Sequence, residues 1–160
     1  MIKVLFICHG NICRSPMAEF VMKDLAAKAG AGERFVIDSA ATSTEEIGNP
    51  VYPPARRELA AHGVACGAHA ARQMTLADYD KYDLLIGMET SNVRSMRRIC
   101  GGDPDGKLHL PRPYPRIGRR GGIIIIQASA GGIPAVHSVP GCTNGVGRGL
   151  QVELPVPDRV

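Results

Sequence analysis

Tryptophan is absent from these 160 residues, and the only aromatic side chains are four tyrosines and three phenylalanines. With so few rings and no basic stripe on any helical pattern, a nucleic-acid-binding surface is not expected. No 18-residue apolar run is present either, so no membrane span is predicted. The start Met1-Ile2-Lys3 leads straight into a strand-like segment, without the charged leader, hydrophobic stretch and cleavage site of a secreted precursor. The five cysteines, at positions 8, 13, 66, 100 and 142, include no CxxC pair. Neither a disulfide framework nor a zinc ribbon is therefore expected, no metal or cofactor is implied, and a reducing cytoplasm fits the chain best.

The formal charge of +4 has a local origin. Residues 1–110 carry 13 Lys+Arg against 13 Asp+Glu, and residues 111–160 carry 6 against 2, with no lysine. The same last 50 residues hold 9 glycines and 7 prolines, a composition that favours irregular structure over a packed layer. Two regions are expected: a core over 1–110 and a divergent tail over 111–160.

Within the core, strand and helix signals take turns. Ile2–Ile7 reads as a buried strand. Met17, Phe20, Val21 and Leu25 then recur on one helical face, with Ser15 placed to cap and Pro16 suited to the first helical position. Phe35-Val36-Ile37 is a short second strand, and a helix begins near Pro54 and stops at His62-Gly63. A short helix over 74–81, a buried strand over 82–88, a helix over 91–99 and a strand at 107–110 complete the series. Such alternation predicts an α/β fold, an open four-stranded parallel sheet with helices on both faces. In that architecture ligands sit beyond the carboxyl ends of the strands.

The octapeptide CHGNICRS, residues 8–15, falls at such an end. A loop that leaves a strand and enters a helix gathers backbone N–H groups and the positive end of the helix dipole into one concavity, which suits an anion. His9, Gly10, Asn11, Ile12, Cys13 and Arg14 make up this phosphate-binding set. Gly10 and Asn11 tolerate the unusual backbone angles of a nest, and Arg14 adds a planar cationic fork matched to two oxygens of a tetrahedral oxyanion. Cys8 lies at the centre of that field, where the thiolate is favoured, and becomes a nucleophile aimed at phosphorus. No lysine occupies the Gly-Lys-Ser/Thr position that a nucleotide-binding loop requires. A thiol already deprotonated needs no base, so His9 is read as a rim residue that affects substrate preference.

VLFICHGNICRSPMAE resembles the signature of the low-molecular-weight protein-tyrosine phosphatases. The likeness continues through DSAATS at 38–43, GNPVYPPARRELAAHGV at 48–64, HAARQMT at 69–75 and YDLLIGMETSNVRSMRRICGGDPDGKLHL at 82–110. The resemblance implies metal-free hydrolysis of phosphotyrosine protein or small aryl phosphates, with inorganic phosphate as product and a phosphocysteine intermediate. It also implies Cys8 as nucleophile, Arg14 as phosphate clamp and Ser15 as the hydroxyl that stabilises the thiolate. Asn11 would hold the loop in shape with Ser39 packed behind it, and Cys13 matches a position that in some members forms a reversible disulfide with the nucleophile. The segment 44–52 would wall the pocket, with Tyr52 stacking on substrate or covering core.

The tail departs from that pattern. A tyrosine leaving group departs as a costly phenolate unless protonated, and the family places the donor aspartate in an Asp-Pro-aromatic segment that residues 115–130 do not contain. The general acid is therefore unassigned, since after Asp105 only Glu153 and Asp158 carry carboxylates. Either the tail is divergent or its gene has shifted frame: sliding one nucleotide along codons allowed for Pro-Arg-Pro-Tyr-Pro-Arg permits Leu-Asp-His-Thr-Pro-Gly, similar to the family's continuation. Two other functions stay open on these grounds, a catalytically weak phosphate or phosphoprotein binder and a thioredoxin-coupled arsenate reductase.

Overall fold

The computed structural model describes residues 1–113 and, beyond them, strands at 123–128, 134–138 and 150–151. The order is β1 (Ile2–Cys8), α1 (Arg14–Lys28), a 3-10 turn at Gly32–Arg34, β2 (Phe35–Ala41), α2 (Pro53–Ala61), α3 (Leu76–Lys81), β3 (Leu84–Gly87), α4 (Thr90–Cys100) and β4 (Leu108–His109). The four strands form one sheet in the order β2-β1-β3-β4, every neighbouring pair parallel, with β1 at the centre. This is the predicted open α/β sheet.

Alternation along β1 decides which side chains meet which helix. Val4, Phe6 and Cys8 point to the α1 side, where they pack with Ala18, Met22 and Ala26. Leu5 and Ile7 point to the other face, against Met74, Tyr79, Tyr82 and Met96 of the α3–α4 layer. Cys8 thus ends a buried strand on the face where α1 begins. The sheet-facing stripe of α1 is this row four apart, whereas Met17 and Phe20 turn to α2 and pack with Val51, Ala55, Leu59 and Val64. Sandwiched between a sheet and a second helix, α1 needs two apolar stripes, and a single-face reading finds only one.

On the opposite face, Gly87 at the end of β3 lets α4 approach closely: a Cβ there would stand 2.9 Å from Met96 Sδ and 3.2 Å from the Val93 backbone nitrogen. The helix ends on Gly101 in the left-handed conformation, φ 71°, which glycine adopts without steric cost.

Past Leu110 the described residues are strands: β5 (Arg112–Pro113) pairs antiparallel with β8 (Leu150–Gln151), and β6 (Ile123–Ala128) with β7 (Pro134–Ser138). The run Ile123–Ile126 lies in β6, so this β-favouring segment has a partner strand. Cys142, Glu153, Asp158 and most of the 115–130 span lie outside the described residues. Among the described residues no helix is long and apolar enough to cross a membrane, and no group of three or more His, Cys, Asp or Glu is placed to hold a metal ion.

Candidate active site

The turn between β1 and α1 is built around Asn11, the one described non-glycine residue with positive φ, 57°. Asparagine adopts this conformation more readily than most side chains. Its amide is fully buried and uses both ends: Nδ2 donates to Ser15 Oγ at 2.9 Å and Ser39 Oγ at 2.8 Å, and Oδ1 accepts from the Arg72 backbone nitrogen at 3.2 Å. Its carbonyl contacts His69 Nε2 at 2.7 Å, and its own N–H donates to Cys8 Sγ at 3.3 Å. One side chain therefore ties the loop to β2, to α1 and to the segment before α3.

Cys8 Sγ also lies 3.1 Å from Ser15 Oγ. The Ser15 hydroxyl receives the Asn11 amide and has one proton to give, with the sulfur at 3.1 Å and the Ala40 carbonyl at 3.4 Å as its acceptors. A backbone N–H donor and a hydroxyl thus both lie within hydrogen-bond distance of the sulfur. The expected cap is corrected here: α1 begins at Arg14 with Cys13 at the N-cap, and Ser15 is not a cap, because its hydroxyl turns inward to the sulfur. Gly10 differs too. Its φ is not positive, and what it supplies is room, since a Cβ there would stand 3.0 Å from Glu46 Cγ.

Behind the loop, Ser39 passes the chain on. Having accepted from Asn11, its hydroxyl donates to Glu19 Oε2 at 2.5 Å, and Glu19 Oε1 accepts from Lys23 Nζ at 2.6 Å. A buried carboxylate with both oxygens occupied by donors satisfies the requirement that buried charge be paired. Arg72 continues the support on the other side. Its guanidinium makes a fork to Asp78 at 2.9 and 3.0 Å, and Asp78 closes a capping box with Thr75 at the start of α3. Burial works against the Asp78 charge, but Arg72 and the Thr75 N–H outweigh it and hold the carboxyl below its ordinary range.

The mouth is made differently. Arg14 Nη2 donates to Glu89 Oε1 at 3.1 Å, bringing the end of β3 to the loop. Desolvation pushes the Glu89 carboxyl up, yet Arg14, Ser91 and the charge of His9 prevail, so it is held low and ionised. His9 Nε2 lies 3.0 Å from Glu45 Oε2, so the 44–48 loop flanks the mouth, and Ser43 N–H fixes the His9 carbonyl at 3.0 Å. Glu45 and Glu46 each have a partner, Glu46 Oε2 accepting from Asn49 at 2.7 Å. The Ile12 carbonyl accepts from Tyr52 N–H at 2.7 Å, the Tyr52 side chain itself is exposed, and Cys13 packs against the α1–α2 cluster. Cys8 is a free thiol here.

The structure thus brings Cys8, Asn11, Ser15 and Ser39 into one bonded cluster, with His9 and Arg14 on its rim. Glu19, His69, Arg72, Asp78 and Glu89 were not foreseen. Glu89 had a signal, since it follows the central strand's neighbour at the carboxyl edge of the sheet, where ligand groups gather.

A loop at a strand-to-helix junction, with a hydrogen-bonded cysteine at its base and an arginine at its mouth, is an arrangement that suits an anion. The profile of the low molecular weight phosphotyrosine protein phosphatases matches residues 3–120, and the chain belongs to that family. It is 43% identical over 101 residues to the low molecular weight protein-tyrosine-phosphatase YfkJ of Bacillus subtilis, covering 63% of this chain and 65% of that protein, just under two thirds of its length. Against the human low molecular weight phosphotyrosine protein phosphatase the identity is also 43%, over 125 residues, with 69% of this chain and 78% of that one covered. The crystal structure of YfkJ superposes with a TM-score of 0.67 at 39% identity, covering 69% of each chain.

Proposed function

We propose that the chain is a protein-tyrosine phosphatase that hydrolyses aryl phosphate monoesters, phosphotyrosine included, through a phosphocysteine on Cys8, releasing inorganic phosphate. The observation that carries this reading is the sulfur's setting: Asn11 N–H and Ser15 Oγ at 3.3 and 3.1 Å, at the N-terminus of a 15-residue helix. The loop's N–H groups and the positive end of the helix dipole draw a phosphate dianion onto the sulfur. Residues 9–14 bind that phosphate, with the Arg14 fork closing over its oxygens and stabilising the charge that spreads over them in the transition state. Attack by Cys8 breaks the phosphorus–oxygen bond to the aryl group, and water then cleaves the phosphocysteine.

Residues 1–110 are the catalytic core in this reading, and 111–160 a divergent tail. The nucleophile works only when reduced, which places the protein in the cytoplasm. An arsenate reductase needs reactive relay thiols, and burial raises both Cys66 and Cys100, making them poorer nucleophiles. Trapping a phosphocysteine separates the enzyme from a mere phosphate binder.

The test is steady-state hydrolysis of 4-nitrophenyl phosphate by the wild type and by Cys8→Ser. Turnover is expected to fall at least about a thousandfold in the variant, the scale on which loss of a nucleophile acts. Activity that survives the replacement overturns the proposal.

A further inference from the structure

Departure of an aryl oxygen requires a proton, and among the described residues the groups around the mouth narrow the source. Glu89 is bound to Arg14 and held ionised. Glu46 accepts from Asn49, and Glu19 is buried behind the loop with both oxygens taken. His9 is different. It follows the nucleophile directly, its backbone is fixed by Ser43, and its ring is open to solvent, with 58% of the side chain exposed. The ring meets Glu45 at 3.0 Å, and its charge acts on Glu89 across the mouth. Glu45, His9, Glu89 and Arg14 thus form an arc around the opening, in which the imidazole is the member with two ring nitrogens, one to hold a partner and one to pass a proton.

We propose that His9 is the proton donor to the leaving group, oriented by Glu45. This rests on the phosphatase reading above. With Nε2–H engaged on Glu45, the imidazolium has Nδ1–H to give. As the Cys8 sulfur bonds to phosphorus, the bond from phosphorus to the aryl oxygen breaks, its electron pair stays on that oxygen, and the Nδ1 proton moves to it, releasing a phenol. The ring is left neutral in the tautomer that Glu45 accepts from. Water then attacks phosphorus and passes a proton to Nδ1; the sulfur–phosphorus bond breaks, and orthophosphate, thiolate and imidazolium result. Glu45 is a positioning residue, because it touches only the ring.

The experiment compares kcat for phenyl phosphate, a poor leaving group, and 4-nitrophenyl phosphate, a good one, on the full chain. His9→Gln is expected to lower kcat for phenyl phosphate by about a hundredfold and for the nitrophenyl ester by less than about tenfold, since only the poor leaving group depends on protonation. Imidazole added to His9→Ala is expected to restore the phenyl ester selectively, and Glu45→Gln to show the same selectivity at a few-fold. Equal losses on both esters in His9→Gln, or no loss on either, overturns the assignment while Cys8-dependent nitrophenyl hydrolysis still supports the phosphatase. A wild-type chain inert to both esters overturns the phosphatase reading and this one with it.

Discussion

The floor and the rim of this site hold comparable numbers of polar groups and use them in opposite ways. On the floor, Asn11, Ser15, Ser39 and Glu19 are all buried and bonded to one another at 2.5–2.9 Å. On the rim, His9 and Glu45 are 58% and 68% exposed, and Arg14 and Glu89 are 35% and 48% exposed. A buried network resists rearrangement, because any member removed leaves its partners without water to replace it. An exposed ion pair is screened and contributes little to stability. The floor therefore sets the loop's shape, and the rim stays open to solvent.

Asn11→Ala should break this contrast most severely. Two hydroxyls lose their donor, and alanine must sit at a φ of 57°. Unsatisfied buried groups cost about 1–3 kcal/mol, and a left-handed alanine about 1–2 kcal/mol. A loss of roughly 3 kcal/mol in chemical denaturation is expected, with kcat for 4-nitrophenyl phosphate reduced by at least about a hundredfold as the nest loosens. A stability loss below about 1 kcal/mol would mean that the floor is no more cooperative than the rim.

The strand-to-helix junction was legible because its chemistry is local: a buried strand, then Gly-Asn, then Arg-Ser-Pro in eight residues. The sheet was legible from alternation of short apolar runs and helical patterns. What escaped was contributed from far along the chain. Glu19 looks like an ordinary solvated residue of α1 until β2 brings Ser39 against it, and Arg72 reaches Asn11 across 61 residues. Sequence spacing does not report such pairs, since the topology of the sheet creates them. Gly10 is the reverse case, where the residue type was read for its freedom of φ and the fold uses its lack of a side chain.

Asp78→Asn sharpens the contrast at the floor's outer edge. Asp78 is nearly buried while Arg72 is 41% exposed, so the several kcal/mol lost on breaking a buried pair shrinks by screening to about 1–2 kcal/mol. The folded carboxyl is held below its ordinary range, so its contribution is present in full above the unfolded value near 3.9 and is lost as pH falls from there through the lower folded value. Denaturation curves should therefore show wild type and variant separated at neutral pH and converging in acid. A separation that persists unchanged in acid would assign the loss to packing rather than to the charge.

Glu89→Gln probes the rim itself and carries the smallest expected effect on the fold. With both partners more than a third exposed, removal of the carboxylate should move stability by no more than about 0.5 kcal/mol. Its effect should fall on the reaction: Glu89 fixes one nitrogen of the Arg14 fork at 3.1 Å, and a guanidinium left to wander meets the transition-state oxygens less often in the right plane. A three- to tenfold fall in kcat, on the order of 1 kcal/mol, with little change in melting temperature, is the expected pairing. A Glu89→Gln protein that melts several degrees lower would place this residue with the floor, and the division between a part that shapes and a part that reacts would have to be drawn elsewhere.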